Sequence, residues 1–169
     1  MSHLSPTAYV ILGMLARRLM SGYDIKAAVD RSTRFFWAAS YGQIYPELRR
    51  LAEAGLVEGD AVDAGGRRRT LYSLTAAGRD ALAEWLAEPP QAFETRDEGL
   101  LKLFFASAAP ETAEATLAAK QRHHEATVAR LREIEAEGKA QGFGLTVLRY
   151  GIECHSWMAG WCERERERR

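Results

Sequence analysis

A mainly α-helical fold carrying one small β-hairpin, divided between two domains, is the architecture this sequence predicts. Three observations predict it. Several stretches repeat apolar residues at helical spacing and carry start and stop signals. A single region, residues 56–75, alternates as strands do on either side of Gly65-Gly66. Pro89-Pro90 then separates a first half that mixes these patterns from a second half that is helical throughout. The expected division is a first domain at 1–88, a linker at 89–95 and a helical domain at 96–169.

The first helix starts at Ser5-Pro6, a cap residue followed by proline at the first helical position. Tyr9, Leu12 and Leu15 or Ala16 make its expected buried stripe. Ser21 and Asp24 stand three residues apart as a capping box, opening a second helix from Tyr23 to about Asp30 with Tyr23, Ile25, Ala28 and Val29 apolar. The connector that follows contains Phe35, Phe36 and Trp37. Three adjacent aromatics cannot all face one core, so at least one is expected to pack elsewhere.

Residues 40–55, SYGQIYPELRRLAEAG, form the stretch around which the first half is organised. Ser40 and Gln43 make a second capping box, and Gly55 supplies a left-handed stop. Ile44, Leu48 and Leu51 form one apolar stripe. Away from it lie Tyr41, Gln43, Tyr45, Arg49 and Arg50, long side chains able to hydrogen-bond. A helix that buries one side and offers aromatic, amide and guanidinium groups on the other suits a DNA major groove. Pro46 lacks the amide hydrogen that Gly42 would accept, which bends the axis.

In residues 56–75, Val57 and Val62 flank turn chemistry, and Thr70, Tyr72 and Leu74 alternate with Leu71 and Ser73. The tip carries Gly65-Gly66 followed by Arg67, Arg68 and Arg69, the densest basic cluster before the C-terminal tail. Helix, helix, reading helix and basic-tipped hairpin together make a winged helix-turn-helix, whose wing meets phosphates or an adjacent minor groove. Thr75 caps a fourth helix, Ala76 to Glu88, with Leu82, Trp85 and Leu86 apolar.

In the second half, residues 97–106 are apolar nearly all round, which demands burial. A long helix then runs from Pro110 to about Glu137, where Leu117, His124 and Leu131 recur every seven residues like a coiled-coil seam. The last helix, Phe143 to about Arg166, carries Val147, Tyr150, Cys154, Trp157 or Met158, and Trp161 on one broad face. Three such helices do not make a self-sufficient core, and pairing with a second copy is the natural solution.

Composition bounds the function. The chain has 169 residues, is 47% hydrophobic and 27% charged, and balances 23 basic against 23 acidic residues. That suits a folded soluble protein and gives no global signature of a nucleic-acid binder, so DNA contact must come from local clusters. Residues 1–86 carry 11 Lys/Arg against 9 Asp/Glu, and residues 87–169 carry 12 against 14. Cys154 and Cys162, eight residues apart on a helix, cannot pair within one chain and are expected to be reduced thiols. Met1-Ser2-His3 lacks the basic start of a signal peptide, and no segment approaches a membrane span, so a cytoplasmic location is expected.

No nucleophile elbow, phosphate loop or paired metal ligands are present, so an enzyme is not expected. His123-His124 and Cys154-His155 are adjacent pairs whose side chains diverge by about 100° on a helix. Each pair presents one ligand at a time, and neither a metal nor a cofactor is expected.

The chain resembles the PadR-like family of winged-helix transcriptional regulators. The resemblance covers most of the chain and rests on Ser21-Gly22-Tyr23-Asp24-Ile25, on the block from Gln43 to Val57 with its internal Tyr45-Pro46, and on the block from Arg69 to Arg79. Arg96-Asp97-Glu98, the run from Leu100 to Ala106 and the late Trp161 resemble the form with a longer, multi-helix C-terminal dimerisation domain. One departure is that Thr70-Leu71-Tyr72 stands where many members carry a lysine or arginine before two aromatics; the basic role there passes to Arg67–Arg69.

The resemblance implies a homodimer that represses from an inverted-repeat operator and is released by a small molecule or another signal. The residues expected at double-stranded DNA are Ser21, Tyr23, Lys26, Ser40, Tyr41, Gln43, Tyr45, Arg49, Arg67, Arg68 and Arg69. Those expected at the dimer interface are Leu100, Phe104, Leu117, His124, Leu131, Tyr150, Cys154, Trp157 and Trp161. A small aromatic effector is expected near Phe35, Trp37, Trp85, Trp157, Met158 and Trp161. The competing expectation is a protein-interaction module that kept the winged fold without binding DNA.

Overall fold

The computed structural model describes residues 4–64, 67–90 and 96–168, the side chains of 63–68 excepted. The described chain forms two compact units, residues 1–91 and 92–169.

In the first unit, α1 (Pro6–Leu15), α2 (Gly22–Arg31) and α3 (Tyr41–Glu53) precede an antiparallel hairpin of β1 (Val57–Ala64) and β2 (Arg67–Leu74), and α4 (Ala76–Ala87) follows. The local signals act as expected. The Ser5 hydroxyl accepts from the Ala8 amide at 3.1 Å, with Pro6 at the first helical position. Both capping boxes form. Gly55, at φ 69°, ends α3 in the left-handed region. The Leu56 amide reaches back to Leu51 and the Gly55 amide to Ala52, a Schellman closure. The Thr75 hydroxyl accepts from the Gly78 amide at 3.0 Å and donates to the Gly55 carbonyl at 2.7 Å, tying the start of α4 to the end of α3.

The core joins α1, α2, α3 and the base of the hairpin. Ile11, Leu12, Ile25, Val29, Ile44 and Leu48 are fully buried, with Leu51 and Val57 nearly so. The expected stripe of α3 is therefore its buried face. The expected stripe of α1 is buried at Leu12 and Leu15, but Ala8 and Ile11 go equally deep, Tyr9 is half-buried against Trp85, and Ala16 is exposed. Burial of α1 on more than one side, against α3 and α4, is why a single stripe described it poorly. On α2, Tyr23 is 64% exposed rather than part of the core.

The hairpin pairs Val57 with Leu74 through to Ala64 with Arg67. β1 passes straight through Gly59-Asp60, where turn chemistry was expected, and the predicted tip at Gly65-Gly66 lies outside the described residues. Met20 adds a further rung, exchanging backbone hydrogen bonds with Tyr72 at 2.9 and 3.2 Å. Of the three connector aromatics, Phe35 closes a 3₁₀ turn and is half-buried, while Phe36 and Trp37 are 61% and 45% exposed.

The second unit is α5 (Glu98–Phe104), α6 (Thr112–Ala136) and α7 (Gly142–Glu167). α6 and α7 form a hairpin whose contacts run antiparallel: Glu114 and Gln121 to Arg166, His124 to His155, Glu135 to Arg149. α5 packs on α6, anchored by Asp97, which caps it and ion-pairs with Lys120. Burial alone would disfavour the Asp97 charge, but the Lys120 and backbone hydrogen bonds outweigh it and hold the carboxyl below the usual range.

Two expectations change here. Leu117, His124 and Leu131 do form one stripe, but α7 of the same chain buries them, so they hold the hairpin together instead of facing a second chain. A heptad stripe reports that a face is covered; it does not report by which helix. The apolar run of α5 is not buried within the chain: Leu100, Leu101, Phe104 and Phe105 are 45–80% exposed.

Candidate nucleic-acid interface

α3 presents the expected outward face. Tyr41 and Tyr45 stand one helical turn apart with ring centroids at 6.2 Å, and Tyr23 of α2 stacks on Tyr41 at 6.4 Å. Three tyrosines thus form a ladder across two helices, all of them exposed. The two helices approach closely because residue 22 is glycine: a Cβ there would sit 2.7 Å from the Tyr45 ring. Arg49 follows Tyr45 along the same side of α3 and is exposed.

Several side chains are already engaged. The Gln43 amide oxygen accepts from the Ser40 backbone amide at 2.9 Å and from the Ser40 hydroxyl at 3.1 Å. Its NH₂ group keeps both donors for a partner, a donor set that complements the acceptor atoms of a purine edge. Ser21 is buried, and its hydroxyl donates to Asp24 at 2.6 Å. Expected as a DNA contact, it serves instead to start α2. Lys26 lies with its ammonium 5.4 Å from the Tyr41 ring centroid, and it also ion-pairs with Asp30 on its own helix. It is therefore a held cation rather than a loose one.

Asp24, in the capping box of α2, is held below the usual carboxylate range first by its Ser21 hydrogen bonds and then by the charges of Arg69 on β2 and of Arg18. Arg67 and Arg68 pair through their backbones with Ala64 and Asp63; their side chains lie outside the described residues.

Glu47 is the residue that sequence reasoning missed. It is buried on the inner side of α3, at 7% exposure, and accepts from the Ser5 hydroxyl at 2.8 Å and from Arg50 at 2.9 Å. The Glu-to-Arg spacing of three was visible in the sequence, whereas Ser5 lies 42 positions away. Of the two adjacent arginines, Arg50 is therefore ion-paired at the rim of the helix.

The residues expected to line an effector site divide between the units. In the first, Trp85 stacks face to face on Tyr9 at 4.5 Å, with Phe35 half-buried and Trp37 exposed. In the second, Trp157 and Met158 are 62% and 38% exposed, and Trp161 is half-buried. Among the residues expected to pair two chains, Leu100, Phe104, Tyr150 and Trp157 are exposed and Cys154 is half-buried. Cys154 and Cys162 are both free thiols. No group of three or more potential metal ligands occurs among the described residues.

Known proteins resemble this arrangement along the whole chain. Residues 11–84 match the model of the transcriptional regulator PadR-like family, and residues 95–168 match that of the virulence activator alpha C-terminal region. The chain is 37% identical over 101 residues to the negative transcriptional regulator PadR of Bacillus subtilis, covering 59% of this chain and 56% of that one. It spans about half the length of the curated relatives it matches. The crystal structure of B. subtilis PadR in complex with operator DNA superposes with a TM-score of 0.89 at 26% identity, covering 99% of this chain and 100% of that one. The same protein in complex with p-coumaric acid gives a TM-score of 0.75 at 25% identity, with 96% of each chain covered. The chain thus carries a PadR-like transcriptional regulator domain at residues 11–84 and shares the fold of the PadR regulator along its whole length.

Proposed function

We propose that this chain is a DNA-binding repressor that acts as a homodimer on an inverted-repeat operator and is released by a small aromatic molecule or another signal. Residues 1–88 read the DNA and residues 96–169 pair the two copies. The observation that carries the reading is α3 itself, on which Tyr41, Gln43, Tyr45 and Arg49 are all exposed while Ile44, Leu48 and Leu51 are buried. The helix thereby combines stacking area, amide donors and a cation on one rigid element, the chemistry that base edges and phosphates require. The operator complex of the B. subtilis relative supports it.

Pairing is supported by the second unit, where α5 and α7 leave Leu100, Leu101, Phe104, Phe143, Tyr150 and Trp157 uncovered. Two copies would present two reading helices at a fixed separation, ideally near one turn of DNA, about 34 Å. A signal that shifts the pairing helices changes that separation and lowers affinity without touching the DNA surface. The p-coumaric acid complex of the relative supports a small aromatic acid as that signal, with candidate contacts either in the first unit, at Phe35, Trp37 and Trp85, or in the second, at Trp157, Met158 and Trp161. The role is regulatory rather than catalytic. No helix among the described residues is long and apolar enough to cross a membrane, which fits a cytoplasmic site of action.

The test is selection of duplexes from a random-sequence pool by the purified whole chain. An enriched inverted repeat is the expected result. Failure to enrich any duplex would overturn the reading in favour of a protein-interaction module on the same fold.

A further inference from the structure

Glu47 connects parts of the molecule that the DNA reading alone does not relate. The Ser5 hydroxyl accepts from the Ala8 amide, which caps α1, and donates to one oxygen of Glu47 at 2.8 Å. The other Glu47 oxygen accepts from Arg50 at 2.9 Å. A buried carboxylate requires such partners, and both are present here. The result is a continuous chain of hydrogen bonds from the start of α1, through the inner side of α3, to an arginine at the rim of the reading helix. Ser5, Gly42, Gln43, Pro46, Glu47 and Arg50 line the shallow groove where the two helices meet.

We infer that Glu47 is a positioning residue of the reading helix: it docks α3 on the start of α1 and keeps the Arg50 guanidinium off the DNA, so that Arg49 alone of the two adjacent arginines meets phosphate. This inference rests on the proposed DNA-binding function. Consecutive helical residues point about 100° apart, which separates the two arginines in direction. Arg49 is on the side of Tyr41 and Tyr45. Arg50 is turned toward Glu47, its charge matched by the carboxylate and its side chain still 72% exposed at the rim. Without the carboxylate nothing in that contact would restrain it, and a free arginine beside the groove would reach any phosphate regardless of sequence. Glu47 thereby raises discrimination by withholding a contact that carries no sequence information.

The experiment measures binding of the whole chain to two duplexes across a range of salt. One duplex is the sequence that wild-type protein selects from a random pool; the other is random. The slope of log affinity against log salt counts phosphate contacts, at about 0.9 per contact. Arg49→Gln should flatten that slope by about one unit, whereas Arg50→Gln should leave it unchanged. Glu47→Gln, which keeps the Ser5 partner but loses the charge, should steepen the slope by about one unit and reduce the selected-to-random affinity ratio several-fold. Glu47→Gln combined with Arg50→Gln should return the slope to the wild-type value. A purely structural role for Glu47 would lower affinity without steepening the slope. The inference is overturned if Arg50→Gln flattens the slope as Arg49→Gln does, or if Glu47→Gln leaves both slope and ratio unchanged. Arg50→Gln decides the matter even where Glu47→Gln folds poorly. A wild-type protein that binds neither duplex would instead overturn the DNA-binding function itself.

Discussion

The two units of this chain treat their apolar residues in opposite ways. In the first, the stripes of α1, α2 and α3 and the base of the hairpin close on one another, and Ile11, Leu12, Ile25, Val29, Ile44 and Leu48 have no exposed surface. In the second, α6 and α7 bury Leu117, His124, Leu131, Leu148, Ala159 and Cys162 between them, while Phe104, Phe143, Tyr150 and Trp157 remain 62–91% exposed. Exposed apolar surface on that scale marks an interaction site. The difference teaches that the winged unit closes its core within one chain, whereas the helical unit leaves a broad apolar face uncovered, the face that the proposed pairing would close.

The largest effects should follow from matched leucine truncations in the two units. Leu48→Ala, at a fully buried site, should destabilise the winged unit by about 2–5 kcal/mol, read as a lower melting transition. Leu101→Ala, at a site 58% exposed in the single chain, should scarcely change unfolding of the dissociated protein but should weaken self-association. Equal effects of the two changes on unfolding of the dissociated chain would break the comparison.

Gln43→Ala should relax the preference at one base pair of the selected duplex by about 1–3 kcal/mol. It also removes one half of a capping box, so the melting transition should fall by an amount equivalent to about 0.5–2 kcal/mol. Equal loss of affinity for selected and random duplexes would show that Gln43 positions the helix without reading a base.

Acid should act on the helical unit before the winged one. His124 and His155 face each other with Nδ1 atoms 2.9 Å apart, an arrangement in which one ring donates and the other must accept. Burial first, and then the charge of His155, push His124 down to about 4, and burial lowers His155 as well. Both folded values lie below the unfolded value near 6.5, so the folded unit binds fewer protons than the unfolded one there. The stability of the α6–α7 hairpin is therefore complete above pH 6.5 and declines as pH falls toward about 4. Lys120 and His123 lower His124 further, and the charge of Asp97 opposes them. Thermal melts of wild type and His124→Leu from pH 7.5 to 4.5 check this: the variant should lose most of the pH dependence in that window. An equally steep decline would place the acid-sensitive group elsewhere.

The smallest effect concerns the wing. Replacing Arg67, Arg68 and Arg69 by Ala should weaken binding to all sequences alike and flatten the salt slope by about one unit per lost phosphate contact. An unchanged slope would remove the wing tip from the interface.

The winged unit was more legible in the sequence than the helical unit, for a physical reason. Capping boxes at Ser21 and Ser40, the stop at Gly55 and the alternation in β2 are local signals, and the partners they imply lie within a few residues. Where partners are distant, the sequence was silent or misleading. Glu47 meets Ser5 across 42 positions, and Met20 joins the sheet through Tyr72. The stripe of Leu117, His124 and Leu131 was legible as a buried face but not as one covered by α7 of the same chain. The run at 97–106 was legible as apolar, but not as exposed in the single chain, because its covering surface is not encoded locally. Lys26 was legible as a basic residue, while its ion pair with Asp30 one turn later was overlooked.

The central claim is that the uncovered face of α5 and α7 is closed by a second copy of this chain. Sedimentation equilibrium of the DNA-free whole chain and of Trp157→Ala, at micromolar concentration, tests it most directly. Wild type should sediment at twice the chain mass of 18.9 kDa, and Trp157→Ala should shift toward the single-chain mass, with association weakened by about 2–4 kcal/mol as for a central interface aromatic. A wild-type protein that sediments as a single chain, or a Trp157→Ala variant that remains fully paired, would contradict it.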